Sequence, residues 1–492
     1  MPPRIDLPRF DAIVIGSGPN GLAAAIVLAH EGLAAGVLET NEQIGGGARS
    51  AELTLPGFVH DICSAVHPLA AGSPFFRDLP LGEHGLEWIH PPVPLAHPFD
   101  DGTCVLLRRS LAETAEALGP DAAAYRSLFG PLLRNQDALL RYVLGPLHWP
   151  RNPFALARFG MEALRSAQGF VNAHFRHRNA RALFAGLAAH SALALDALGS
   201  AAFGLVLALA AHAVGWPIPQ GGAQSISNAL ASYFKSLGGQ IFSGVRVQSL
   251  RQLPPVRLIL CDVTPRQMLS MAGDTLPDWY RRKLGRYQYG PGTFKVDWSL
   301  DGPIPWASAE CLRAGTVHLG GSFEEIAASE RAPWQGRVAE RPFVLLAQPS
   351  LFDAMRAPAG RHTAWAYCHV PNGYRGDMTA GIENQVERFA PGFRKRILAR
   401  SVMTPSALED HNANLVGGDI NGGAATFPQL FLRPTAWVYA TPVNGLYLCS
   451  AATPPGGGVH GMCGYFAAQL AMHELKAGSG SSVPPASSAS KI

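Results

Sequence analysis

Gly16, Gly18 and Gly21 stand in G-x-G-x-x-G spacing directly after a short apolar run, and no other feature of this sequence narrows the fold as much. Ala12 to Ile15 reads as a buried parallel strand. The first glycine permits a tight turn. The second lets the backbone approach a pyrophosphate, and the third lets a helix pack on the strand. Pro19 and Asn20 fill the gap inside the triplet, and Leu22 to His30 is Ala/Leu-rich and reads as a helix. Its free N-terminal N–H groups and its dipole would face the phosphates. Gly32 can end that helix. A second strand, Gly36 to Leu38, finishes at Glu39, where an acid meets a ribose hydroxyl. The charge of Glu39 argues against a 2′-phosphate at the same place.

The chain has 492 residues, which suggests about two to four domain-sized units. A hydrophobic share of 47% is ample for sizeable cores, while charged residues make up only 15% and the net charge is +4. That balance does not point to nucleic acid. The basic run His174 to Arg181 is short and reads as a solvated helix face. The seven cysteines form no C-x-x-C pair, so neither a dithiol centre nor a disulfide framework is expected. Scattered cysteines and the lack of an N-terminal apolar segment fit a reducing, cytoplasmic setting. The histidines show no metal-ligand spacing, and no metal is expected. Ala197 to Val214 is 18 residues without a formal charge, near the lower limit for crossing a bilayer. Gly199, Ser200, Gly204 and His212 weaken that reading. A buried helix lining an apolar pocket fits better, with peripheral membrane contact left open.

An α/β pattern appears at the start, the middle and the end of the chain. Gly221 to Leu250 reads as a helix ended by Gly238-Gly239, with a strand through Val245 and Val247. Val256 to Pro265 holds a further buried strand. Gly445 to Leu475 gives a strand, a glycine loop and a helix starting near Gly461. Residues 100–215 read as largely helical. The expected fold is therefore α/β, with a discontinuous Rossmann-like nucleotide-binding domain interleaved with a mixed α+β substrate domain. The first is assigned residues 1–75, 216–275 and 436–476. The second is assigned 76–215 and 276–435 and carries the helical insert. Residues 477–492 are low-complexity and expected to be disordered.

The blocks "GGGARS", "LPGFVHD", "TFKVDWSL", "WPIPQGG", "AYCHVPNGY", "NLVGGDINGG" and "GLYLCSAATPPGGGVHGMCGYFAA" together resemble the phytoene desaturase-like oxidoreductases. These belong to the glutathione-reductase-type superfamily that also holds the amine oxidases, and one branch is similar to the pyridine nucleotide-disulphide oxidoreductase domain-containing proteins. The resemblance spans about residues 10–475 and implies FAD in an extended pose. Gly16, Gly18, Pro19, Asn20, Gly21 and Glu39 would hold the ADP half, and Val247 would offer its backbone to the adenine. Gly45, Gly46 and Arg49 would meet the pyrophosphate and ribityl. Ser450, Ala451, Gly458, Val459, Gly461 and Met462 would cover the ribityl and the flavin ring. Many relatives carry Gly-Asp or Gly-Glu where this chain has Ser450-Ala451, so a hydroxyl replaces a charge there.

Three side chains are candidates for catalysis. Lys295 matches a lysine that holds a water at the flavin in amine oxidase relatives; alternation also puts it beside Asp297, as a surface ion pair would be. His369 shares a strand face with Tyr367 and reads either as a core histidine or as a substrate-facing acid/base. His460 lies in the glycine loop before the last helix, within reach of flavin or substrate. Trp437 and Tyr439 could form part of an aromatic cage for an amine. A second G-x-G-x-x-G is missing, so no NAD(P)H site is expected, and oxygen or a quinone is the expected electron acceptor. The low charge and apolar insert favour a lipid or isoprenoid-like substrate losing hydride from a C–C unit. Double-bond isomerisation, amine oxidation and a flavin-free carrier of prenyl groups are the alternatives. A monomer and a homodimer fit equally well.

Overall fold

The computed structural model describes residues 4–147 and 153–478. Two sheets organise it. The first is a five-stranded parallel sheet in the order Leu446–Leu448, Leu258–Cys261, Ala12–Ile15, Ala35–Leu38 and Gln240–Phe242. Its strands come from the three segments assigned to the nucleotide domain. Each strand of the central trio is apolar throughout because helices cover both faces. The strand expected through Val247 ends at Phe242; beyond it the chain turns at Gly244 and runs irregularly.

The helix after the first strand spans Pro19–His30, with proline in its first turn, where a missing N–H costs nothing. It starts three residues earlier than the sequence suggests. Pro19 to Leu28 are all buried, since this helix lies between the sheet, the helix Gln224–Ser236 and the last helix, Met462–Gly478. The last helix approaches so closely that a Cβ at Gly464 would stand 1.8 Å from the Asn20 carbonyl oxygen. Of the expected C-terminal tail, Gly478 ends this helix, and residues 479–492 lie outside the described residues.

The second sheet has seven strands in the order Ile397–Met403, Gly292–Leu300, His362–Val370, Val344–Ala347, Ala314–Leu319, Val93–Pro98 and Cys104–Leu107. It is antiparallel except where Ala314–Leu319 runs along Val93–Pro98. Gly292–Leu300 alternates apolar and polar as expected, yet every residue of it is buried. Its polar face is covered by protein rather than by solvent. Helices from residues 111–213 roof this sheet and share one apolar core with it. The apolar segment near residue 200 forms the helix Ser200–Ala213, packed so tightly that a Cβ at Gly204 would lie 2.7 Å from the Phe184 ring. Among the described residues no helix is long and apolar enough to cross a membrane. The basic run is neutralised on the surface, with Arg178 against Asp101 and Arg181 against Glu324.

Candidate active site

The glycine triplet forms the turn that its spacing requires. Gly16 adopts φ +101°, and a Cβ at Gly21 would lie 2.0 Å from the Gly16 carbonyl oxygen. Glu39 is held at the end of its strand. Its Oε2 accepts from the Ser17 N–H (3.0 Å) and hydroxyl (2.6 Å), and its Oε1 from the Asn41 N–H (2.9 Å). Val247 is buried and lines the same cavity as Gly16, Gly18, Pro19, Asn20 and Glu39. The residues assigned to the ADP half therefore come together, with Gly21 behind them packing helix on strand.

An acid that sequence reasoning missed stands among them. Asp262 follows the strand Leu258–Cys261, and its Oδ2 accepts from the Gly21 N–H at 3.0 Å. Burial pushes its carboxyl up to about 7, with the nearby Glu39 charge acting in the same direction and the Gly21 N–H against it. A Cβ at Gly18 would meet this oxygen at 2.7 Å. The signal available was its place at the carboxyl end of a parallel strand, where ligands of such sheets bind.

The second glycine loop presses on the first, with a Cβ at Gly46 falling 3.0 Å from the Gly18 Cα; Gly45 takes φ +120°. Arg49 braces this loop instead of facing the cavity: its Nε donates to the Gly46 carbonyl (2.9 Å) and its Nη2 to the His411 carbonyl (3.1 Å). The Ser450 hydroxyl is committed too. It donates to the Val263 carbonyl at 2.7 Å and accepts from the Ala452 N–H, so it ties two strand ends together rather than replacing the missing acid.

His460 is fully buried on the cavity wall, with Gly458 and Val459 beside it. Its Nδ1 accepts from the Met462 N–H at 3.1 Å, which caps the first turn of the last helix. The proton therefore sits on Nε2, and the ring interacts with the Gly456 and Gly457 carbonyls. Burial lowers its pKa to about 4, so the ring is a neutral donor at physiological pH. Gly461, with φ +70°, carries the chain into that helix against the Phe76 ring.

The other two catalytic candidates lie behind the cavity wall. Lys295 is paired with Asp297, as alternation implies, but the pair is buried, at 2% and 0% side-chain exposure, not on the surface. Asp297 also lies 3.6 Å from the His60 Nδ1. Burial pushes its carboxyl up to about 6, while Lys295 pulls it down. The ammonium sits 5.7 Å from the centre of the Trp365 ring, and Trp365 does face the cavity. His369 is buried with its Nδ1 at 2.7 Å from Glu330 Oε2. Trp437 and Tyr439, offered for an amine's aromatic cage, do not line the cavity. Trp437 is 45% exposed and packs on Trp279, while the Tyr439 hydroxyl donates to the Pro454 carbonyl. The aromatic pair on the cavity is Trp365 stacked on Tyr367, with ring centres 5.6 Å apart.

All of this surrounds one cavity of about 1600 Å³. It runs from Gly16, Glu39 and Val247, past Ser450 and His460, to the apolar helices around Phe159, Ala202 and Leu207. The glycines leave a cradle that side chains would fill, and Asn20 Oδ1 is buried at its edge without a partner. Those observations fit an extended dinucleotide. Among the described residues no cluster of histidine, cysteine and acids could hold a metal.

Residues 14–79 match the family model described as an NAD(P)-binding Rossmann-like domain. A pyridine nucleotide-disulfide oxidoreductase domain-containing protein 2 from Rattus norvegicus is 27% identical, over 95% of this chain and 94% of its own. A neurosporene-forming phytoene desaturase from Rhodobacter capsulatus is 24% identical, over 92% of each. Over nearly its whole length the chain is similar to phytoene desaturase-related oxidoreductases. Among solved structures, a putrescine oxidase bound to putrescine matches with a TM-score of 0.60 at 16% identity, covering 95% of this chain and 99% of that one. That likeness concerns the fold and places this oxidoreductase on the same α/β framework.

Proposed function

We propose that the dinucleotide is FAD and that the protein removes hydride from an apolar, lipid or isoprenoid-like molecule. The observation that carries this reading is the continuity of the cavity. A glycine cradle for a pyrophosphate and an apolar chamber under the helical roof are two ends of one space. When bound, FAD supplies a two-electron acceptor for the substrate hydride and passes the electrons on to oxygen or a quinone.

The chain's own residues divide the remaining work. The glycine triplet and Glu39 hold the ADP half, with Gly45, Gly46 and the Arg49 brace shaping the next turn of the cradle. His460 offers a neutral N–H, and the last helix presents its positive end beside it, both favouring negative charge on the ring system. The apolar helices exclude water and orient the substrate. The second hydrogen of the substrate leaves as a proton to solvent in the cavity, since Lys295, Asp297 and His60 lie behind its wall.

The test is optical. Purified protein, or protein reconstituted with FAD, should show the oxidised-flavin bands and bleach anaerobically with an apolar polyene substrate. Colourless protein that refuses FAD overturns the cofactor reading in favour of a carrier. Bound flavin that catalyses only double-bond migration, without bleaching, overturns the redox reading. Bleaching by amines alone overturns the apolar substrate.

A further inference from the structure

The deep end of the cavity is not uniformly apolar. Thr316, Ala347 and Trp365 lie in one row across three adjacent strands, and all three are on the cavity wall. The Thr316 Oγ1 and Trp365 Nε1 are both buried and have no hydrogen-bond partner, in residues 4% and 7% exposed. The backbones that carry them stand about 10 Å apart, two strand spacings. The next row holds His318 and Tyr367 on the same face, and His318 Nε2 lies 3.0 Å from Nε2 of His190, which is also on the wall.

The two imidazoles are held neutral by burial, so one proton lies between their Nε2 atoms. The remaining nitrogen of His318, Nδ1, has no partner and is jammed against Gly186, where a Cβ would come within 2.4 Å. A bare acceptor is tolerated there better than a stranded N–H. His318 therefore donates, and His190 keeps its own proton on Nδ1. The wall presents N–H and O–H donors in a chamber otherwise built of leucine, phenylalanine and alanine.

Both donor atoms have almost no solvent contact, so they are already unpaired in the unliganded chamber. A hydrocarbon filling it would leave the Trp365 N–H and Thr316 O–H unpaired, with their desolvation cost unrelieved. A ligand that brings an acceptor oxygen avoids this. A carboxylate gains nothing further, because Lys295, the cation behind Trp365, is already neutralised by Asp297.

We propose that Thr316, Trp365 and His190 form a subsite for an uncharged oxygen function, such as an alcohol, aldehyde, ketone or ester, on an otherwise apolar substrate. This rests on the apolar-substrate reading above and narrows it. The test uses the flavin-loaded full chain and follows equilibrium binding of three probes by tryptophan fluorescence: geranylgeraniol, the same polyene without the hydroxyl, and geranylgeranoic acid. The alcohol should bind about tenfold tighter than the hydrocarbon, and the acid should bind no better than the alcohol. The near-isosteric Thr316→Val variant should lose several-fold of the alcohol's advantage while binding the hydrocarbon at least as well; Trp365→Phe, if it folds, should do the same. Equal binding of alcohol and hydrocarbon, or an advantage untouched in Thr316→Val, overturns the subsite and leaves the apolar-substrate reading standing. Tightest binding by the acid overturns the uncharged specificity. Failure of all three to bind overturns the broader reading, and the subsite with it.

Discussion

The Oδ2 of Asp262 accepts the Gly21 N–H at 3.0 Å, so a buried carboxyl stands at the N-terminus of the helix that should face a pyrophosphate. Its burial-raised pKa of about 7 makes it neutral below that pH and charged above it. The other titratable groups that interact with it are Glu39 and the Cys261, Cys449 and Cys463 thiols. An ionised Asp262 would repel a phosphate dianion, so binding should favour the protonated form. Titration of apo-protein with ADP should therefore show affinity falling up to tenfold per pH unit above about 7. Asp262→Asn should flatten that slope. The same acid binds more protons folded than unfolded between its ordinary pKa of 3.8 and about 7, so it lowers stability as pH rises through that window. The Asn variant should lose this component in urea titrations at pH 5 and pH 8.

Lys295 and Asp297 form a pair with almost no solvent contact. Removing the cation alone should cost about 3 kcal/mol or more, because a buried charge loses its partner. Without Lys295 the Asp297 carboxyl rises further above about 6, so the penalty grows with pH. Lys295→Met should therefore lose more Tm at pH 8 than at pH 6. Lys295→Met/Asp297→Asn should recover most of that loss. A uniform loss at both pH values would show that packing, not charge, sets the cost.

Several imidazoles are kept neutral by burial. His60 and His190 are lowered to about 3, and His67, His97, His411 and His460 to about 4, from an ordinary 6.5. The unfolded chain binds more protons than the folded one between pH 6.5 and about 4, so stability is lost as pH falls through that window. Unfolding monitored by circular dichroism should become steeply easier below pH 6, by several protons' worth of slope. His97→Gln, off the cavity wall and with its Nε2 on the Gly321 carbonyl, should reduce that slope by about one proton.

Local backbone needs were legible in the sequence, and long-range pairings were not. The glycine triplet announces its turn because Gly16 and Gly21 must meet within six residues. Glu39 is readable because a strand end and its acid are contiguous. The apolar segment near residue 200 shows its burial in composition alone. Alternation placed Lys295 with Asp297 and Tyr367 with His369, but it could not say that both faces of their sheet are buried. Arg49 and Ser450 carry the right chemistry for a cofactor, yet their partners His411 and Val263 are remote in sequence and claim their donors. Asp262 reaches Gly21 across a separation of 241 residues, and His190 reaches His318 across 128. Neither contact leaves a local pattern.

The last helix ties cofactor binding to stability through His460. Its Nδ1 caps the Met462 N–H while its Nε2–H stands on the cavity wall, so one ring serves both ends of the problem. His460→Ala should cost about 1 kcal/mol as a lost cap and should also weaken FAD retention. His460→Asn separates the two effects, because its side-chain oxygen can cap the helix while its amide can no longer extend as far as an imidazole Nε2. That variant should recover most of the thermal stability of the apo-protein but not the affinity for FAD measured by flavin fluorescence quenching. Full recovery of both would mean that the imidazole Nε2–H contributes nothing to the bound group. The Gly464→Ala variant, whose methyl would collide with the Asn20 carbonyl at 1.8 Å, should push the same helix off the first one and lose both together.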